Sequence, residues 1–146
     1  MCRDELNASP ALPQDNEPLA EAKVRMYAPL TLAFVGDAVF SLMVRRYLTQ
    51  DVSKPAGKLH KESIQYVNAA FQAEAARAIL PLLNENEEAV FKRGRNAHSA
   101  HSPKNQSSAD YRYATGLEAL FGYLYLCGEN ERAAQLFDET VKLINK

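Results

Sequence analysis

The 146-residue chain lacks a large net charge, cysteines at metal-binding spacing and a hydrophobic stretch near its first residue. A formal net charge of −1 gives no overall attraction to nucleic acid or membrane, so a polyanion site would need local clusters of basic residues. Cys2 and Cys127 lie at opposite ends of the chain, which favours a reduced, cytoplasmic compartment. The missing hydrophobic leader argues against a signal peptide.

Runs that alternate apolar and polar residues are also absent, and this argues against β-strands. Apolar residues instead recur at helical spacing, which predicts an all-α fold. Ser53, Asn68 and Asn84 are predicted to cap the starts of three of the helices. Residues 1–25 contain three prolines and no periodic apolar face, so we expect a flexible or loosely docked arm before one helical domain at 26–146.

Two apolar helical stretches each contain a single acid. Residues 30–48 have Asp37 in their middle, and residues 115–126 have Glu118. The first stretch is about long enough to span a bilayer, but Asp37, Arg45 and Arg46 interrupt it, so it is predicted to be a core helix. Ionised carboxylates are seldom buried without a partner, so each acid calls for an explanation.

Small residues lie next to both acids at helical spacing, and they are Ala33, Ala38, Ser41, Ala114, Thr115, Ala119 and Gly122. Such neighbours leave room for something other than a side chain. Hydrated Mg²⁺ fits, because one or two carboxylates typically hold it while it keeps several waters. In the alternative interpretation, each acid pairs with an arginine such as Arg45 or caps another backbone. The pattern leaves both open.

The second feature is a basic stretch: residues 91–109 contain several basic side chains and no acid. Its predicted nucleic-acid contacts are Lys92, Arg93, Arg95, Asn96, His98 and Lys104. The alternative is a solvated helix C-terminus that follows the helix dipole. Lys54, Lys58 and Arg112 are weaker additions. Because His98 and His101 have no third ligand in the loop, zinc is not expected. With the two acids, the basic group favours a cation-dependent enzyme acting on a phosphodiester backbone.

Several motifs, in order, resemble the ribonuclease III family. LAFVGDAV at 32–39 and LEALFG at 117–122 are similar to its two acidic motifs. KRGRNA at 92–97, PKN at 103–105 and YRYAT at 111–115 are similar to the Mini-ribonuclease III branch, which has the catalytic domain without a double-stranded-RNA-binding domain. The resemblance covers residues 27–146.

This resemblance implies a ribonuclease III helical bundle that forms a homodimer in the cytoplasm. It implies Mg²⁺-dependent cleavage of double-stranded RNA in maturation of the 23S ribosomal RNA precursor, with a ribosomal protein as a further partner. Asp37 and Glu118 would be the catalytic, metal-binding residues, and the basic loop would clamp RNA. Ala33 and Thr115 stand where the family has two further acids, so fewer protein ligands are expected.

Two other functions stay open at this point. A non-catalytic, ribosome-associated RNA-binding relative is compatible with Ala33 and Thr115, although Asp37 and Glu118 argue against it. A plain helical interaction module would leave the two acids unexplained.

Overall fold

The computed structural model describes residues 17–97 and 108–145. Their helices are α1 (Glu21–Val24), α2 (Pro29–Leu48), α3 (Ala56–Val67), α4 (Ala69–Ile79), α5 (Glu85–Asn96), α6 (Ser108–Leu126) and α7 (Asn130–Val141), with a 3₁₀ turn at Leu80–Leu82. These residues contain no strand, which confirms the all-α prediction. None of the helices described is both long and apolar enough to cross a membrane.

Helix α6 is the centre of the bundle, with α2, α4 and α5 packed around it. From Ala114 to Leu124 every residue of α6 is buried except Glu118. Phe40 of α2 meets Phe121 of α6 and Phe137 of α7 edge to face, at ring-centroid distances of 5.4 and 5.6 Å. Glu118 is therefore the one position on this stretch of the core helix that reaches solvent.

Helices α2 and α6 cross with their backbones in direct contact. A Cβ atom added at Gly36 would lie 1.6 Å from the carbonyl oxygen of Glu118, and one added at Gly122 would lie 2.0 Å from that of Leu32. We expected the small residues beside the acids to leave room for an ion. At Gly122 the opposite backbone fills that space instead.

The cap predictions are correct at two positions of three. Asn68 and Asn84 each accept a hydrogen bond from the amide three residues further on, at 2.8 and 2.9 Å. The prediction for Ser53 is wrong, because its amide and hydroxyl both donate to the Asp51 carboxylate and the helix begins only at Ala56. A local turn of this kind competes with helix capping.

The chain before α2 is docked on the bundle from residue 17 onward. Val24 is fully buried, and the Leu19 amide donates to the carbonyl of Leu126 at 2.9 Å. The Tyr123 hydroxyl donates to Glu21, also at 2.9 Å. Residues 17–25 of the predicted arm are therefore docked on the bundle, and the earlier part of the arm lies outside the described residues.

The helix crossing predicts opposite effects for two glycine substitutions. Gly36→Ala should lower the free energy of unfolding by about 3 kcal/mol or more, because the new methyl group meets backbone that cannot move aside. Gly57→Ala in α3 is the matched control. Its methyl group would meet nothing within 4 Å, so we expect a gain of about 0.5–1 kcal/mol. Urea denaturation measures both, and equal effects would contradict the crossing geometry.

Candidate metal and nucleic-acid site

The helix crossing brings Asp37 and Glu118 together. Asp37 directly follows Gly36, whose Cα lies against the Glu118 carbonyl. The two carboxyl groups lie within hydrogen-bonding reach of each other. The sequence places these acids far apart along the chain, and the contact of α2 with α6 makes them neighbours.

The electrostatics of the pair are unusual for carboxyl groups. Burial, followed by the hydrogen bond and the negative charge of Asp37, raises the pKa of Glu118 to about 8. Asp37 itself is exposed and Glu118 is half-buried, so the premise of two buried acids is wrong for Asp37. Within the residues described, neither acid forms an ion pair with Arg45 or with another basic side chain.

The pair fits a cation held by few protein ligands. In the described part of the chain, no third His, Cys, Asp or Glu joins the two acids in a metal-binding group. Two adjacent carboxylates suit Mg²⁺ that keeps most of its waters. Ala33 and Thr115 are both buried, and the Thr115 hydroxyl donates to the Tyr111 carbonyl at 2.9 Å. A fuller two-metal arrangement would need more anionic ligands than these positions offer.

Three of the predicted RNA contacts are engaged within the fold. The Arg93 guanidinium donates to the backbone carbonyls of Arg25 and Tyr27, at 3.3 and 3.2 Å, and so holds the turn between α1 and α2. Lys92 forms an ion pair with Glu88 on the same helix, at 2.7 Å. Lys54, which precedes α3, forms an ion pair with Glu62 of that helix, at 2.8 Å. The Lys92 pair is exposed, and such pairs open at little cost.

The remaining predicted contacts that the structure describes lie on three different helices. Arg95 and Asn96 end α5, where the Arg95 side chain donates to Asn96 at 3.1 Å. Arg112 is exposed on the first turns of α6, and Lys58 is exposed on α3. His98 and Lys104 lie outside the described residues.

The sequence did not reveal Arg77, which belongs to the same surface as Arg95. Its guanidinium lies 4.5 Å from the ring centre of Tyr113, and that of Arg95 lies 6.0 Å from the same ring. Arg77 also faces Asp110 at 3.5 Å. No local signal marks Arg77, because its neighbours come from α5 and α6.

Known proteins match this chain over most of its length. A family model described as the ribonuclease III domain matches residues 30–129. The chain belongs to the ribonuclease III family. Enzymes of this family are endoribonucleases and generally depend on a divalent metal ion.

Individual relatives match along most of their own length as well. Mini-ribonuclease 3 of Thermoanaerobacter sp. (strain X514) is 44% identical over 133 residues, which are 91% of this chain and 94% of the relative. Mini-ribonuclease 3 of Brevibacillus brevis is 45% identical over 116 residues, 80% of this chain and 87% of the relative. A crystal structure of a Fusobacterium nucleatum protein superposes with a TM-score of 0.74 at 31% identity, covering 82% of this chain and 96% of that one.

The raised pKa of Glu118 makes stability depend on pH in the metal-free protein. Between pH 4.5 and about 8 the folded state keeps a proton on Glu118 that the unfolded chain releases. The contribution of this group to the free energy of unfolding therefore falls as pH rises through that range. The Glu118→Gln protein has no such proton to lose. The difference between its free energy of unfolding and that of the unsubstituted protein should therefore shift steadily in favour of the variant from pH 5 to 8.5. Urea denaturation in EDTA measures this difference, and a difference independent of pH would contradict it.

Proposed function

We propose that this endoribonuclease cleaves double-stranded RNA with Mg²⁺ held between Asp37 and Glu118. The observation that supports the proposal most directly is the contact of the two carboxyl groups at the α2–α6 crossing, without a basic partner among the described residues. Burial and the neighbouring Asp37 raise the pKa of Glu118, and a cation between the two carboxyl groups would offset both effects.

The chemistry follows from these residues. When bound, Mg²⁺ would activate a water for attack on phosphorus and would offset charge on the leaving oxygen. Asp37 and Glu118 would hold that ion, and basic side chains on α5, α6 and α4 would bind the duplex. Arg95, Arg112 and Arg77 offer donors for RNA phosphates, and A-form RNA is bound mainly through its phosphates, its 2′-hydroxyls and its shape. Lys92, Arg93, Asn96, His98, Lys104, Lys54 and Lys58 stay in the proposed contact set, although Arg93 also has a structural role.

We further propose that the substrate is the 23S ribosomal RNA precursor in the cytoplasm, with a ribosomal protein as a helper. This part rests on the likeness to Mini-ribonuclease III. The competing candidate is a non-catalytic RNA-binding protein, favoured by Ala33 and Thr115 at positions where the family has acids. Retention of both Asp37 and Glu118 supports the enzyme.

A cleavage assay tests the catalytic pair. Asp37→Asn and Glu118→Gln should each lower the cleavage rate of a structured ribosomal RNA precursor by about a thousandfold or more, because losing a metal ligand removes several kcal/mol of transition-state stabilisation. Glu74→Gln, an exposed acid on α4, is the control and should cleave normally.

The same assay separates the two candidate functions. Cleavage by the unsubstituted protein should require Mg²⁺ and stop in EDTA. Binding of duplex RNA without cleavage at any Mg²⁺ concentration would favour the non-catalytic alternative. Normal rates in both Asp37→Asn and Glu118→Gln would remove the catalytic assignment.

We also propose that the protein acts as a homodimer. Met26, Leu30 and Phe34 are spaced four residues apart along the start of α2 and the turn before it, and they are 85%, 39% and 80% exposed in the single chain. Exposed large apolar side chains in one stripe are typical of a protein interface. A second copy of the chain would cover the stripe and bring two carboxylate pairs to one duplex, since Asp37 lies one helical turn from Phe34.

Sedimentation velocity tests the dimer. Phe34→Glu should give a folded monomer, because the new charge cannot be buried against a second copy. Val52→Glu, which alters a side chain that is 97% exposed just beyond the other end of α2 from Phe34, should leave the dimer intact. A dimer that survives Phe34→Glu with unchanged affinity would contradict the proposed interface.

A further inference from the structure

A cavity of about 310 Å³ lies between the C-terminal half of α2 and the first two turns of α3. It is separate from the carboxylate pair, and neither Asp37 nor Glu118 lines it. Its polar lining consists of Arg45, Thr49, His60 and Ser63, while Leu48 and Leu59 supply apolar surface. The guanidinium and the imidazole can donate hydrogen bonds to a phosphate group. The Thr49 and Ser63 hydroxyls already donate to the backbone carbonyls of Arg46 and His60, at 3.0 and 2.7 Å.

Basic residues lie in the cavity lining and next to lining residues in the sequence. Within the described residues, Arg45, Lys58 and Lys61 form no ion pair or side-chain hydrogen bond. The acids of the same region are already engaged. Asp51 accepts two hydrogen bonds from the loop residue two positions on, and Glu62 is paired with the lysine that precedes α3. An anion entering here would therefore meet Arg45, which pairs with no carboxylate among the described residues, whereas Lys58 lies close enough to Asp51 to feel its charge.

The start of α3 adds backbone donors to this surface. No side chain caps the helix, and Ala56 at its first position lines the cavity. Gly57 has open space where a side chain would be, so an anion can approach the backbone there. These features support the site formed by Arg45 and His60 without being sufficient alone.

The cavity lies on the same side of α2 as the catalytic acid. Arg45 follows Asp37 by eight residues, with Ser41 between them, so the three side chains project within about a quarter turn of one another. The rise along the helix between Asp37 and Arg45 is about 12 Å. A strand of RNA with one phosphate at the carboxylate pair can reach this distance within a few nucleotides.

We propose that this cavity binds a backbone phosphate of the RNA duplex, a few nucleotides from the bond that is cleaved. Arg45 and His60 are the principal contacts, and the backbone amides at the start of α3 add further donors. The inference rests on the proposed function, because the cleaved phosphate must lie at the metal ion that the carboxylate pair would hold for the spacing to have meaning. An acidic peptide would meet the same cations, but the alignment with Asp37 favours RNA.

Two arginines adjacent in sequence provide a matched test. Arg45 lines the cavity, whereas the exposed Arg46 does not. In a Glu118→Gln background that binds without cleaving, Arg45→Ala should weaken duplex binding about tenfold and reduce the slope of log K against log salt by about one. Arg46→Ala should leave both the duplex affinity and its salt dependence close to those of the Glu118→Gln protein. Equal effects of the two substitutions would overturn the proposal.

A scan of the substrate identifies the contacted phosphate. Neutral methylphosphonates are introduced one position at a time into the duplex. At one position, a few nucleotides from the cleavage site, the methylphosphonate should weaken RNA binding by the Arg46→Ala protein about tenfold. The same methylphosphonate should leave RNA binding by the Arg45→Ala protein unchanged. If no position shows this coupling, the cavity does not hold a backbone phosphate.

Two further measurements distinguish an RNA phosphate from a free phosphate ion, and a failure of the cavity proposal from a failure of the proposed function. Inorganic phosphate, followed through the NMR signals of His60, should bind weakly and be displaced by duplex RNA; tight binding that RNA does not displace would overturn the proposal in favour of a free anion. If the unsubstituted protein does not cleave duplex RNA with Mg²⁺, the proposed function itself fails. Normal cleavage with full affinity in Arg45→Ala would refute only the cavity.

Discussion

Gly36 and Gly122 allow α2 and α6 to touch backbone to backbone, and most features of the molecule follow from that contact. The missing side chains bring the Glu118 carbonyl against α2 and the Leu32 carbonyl against α6. The crossing sets the position of α6 at the centre of the bundle, where α4 and α5 then pack. It also determines which face of each helix remains available for chemistry.

The position of the two acids is a consequence of this packing. Asp37 follows the contact residue of α2, and Glu118 supplies the contact carbonyl of α6, so their side chains emerge together at the edge of the crossing. The core partly desolvates Glu118, and the nearby Asp37 adds repulsion. Both effects disfavour a second negative charge and raise the pKa of Glu118. A cation would reverse that balance, which is how a mostly apolar core can maintain a site for charged chemistry.

Helix α2 has different surface chemistry along its length. Its first turns expose Leu30 and Phe34, its middle exposes Asp37, and its last turns direct Arg45 toward the cavity beside α3. One rigid helix therefore fixes the spacing between the proposed interface, the proposed metal ligand Asp37 and the proposed phosphate contact. Arg93 supports the start of this helix through the carbonyls of the turn before it, so the basic run of α5 has a structural part as well.

The sequence by itself determined the helical class, the caps at Asn68 and Asn84, and the two acids as the residues to examine, because helical periodicity, capping and isolated charges are local properties. Only the tertiary structure decided that Asp37 is exposed, that Arg93 binds backbone carbonyls, that Arg77 joins Arg95 beside Tyr113, and that residues 17–25 are docked. Each of these depends on groups distant in the chain. Such contacts form only when separate helices pack together, and no short stretch of sequence encodes them.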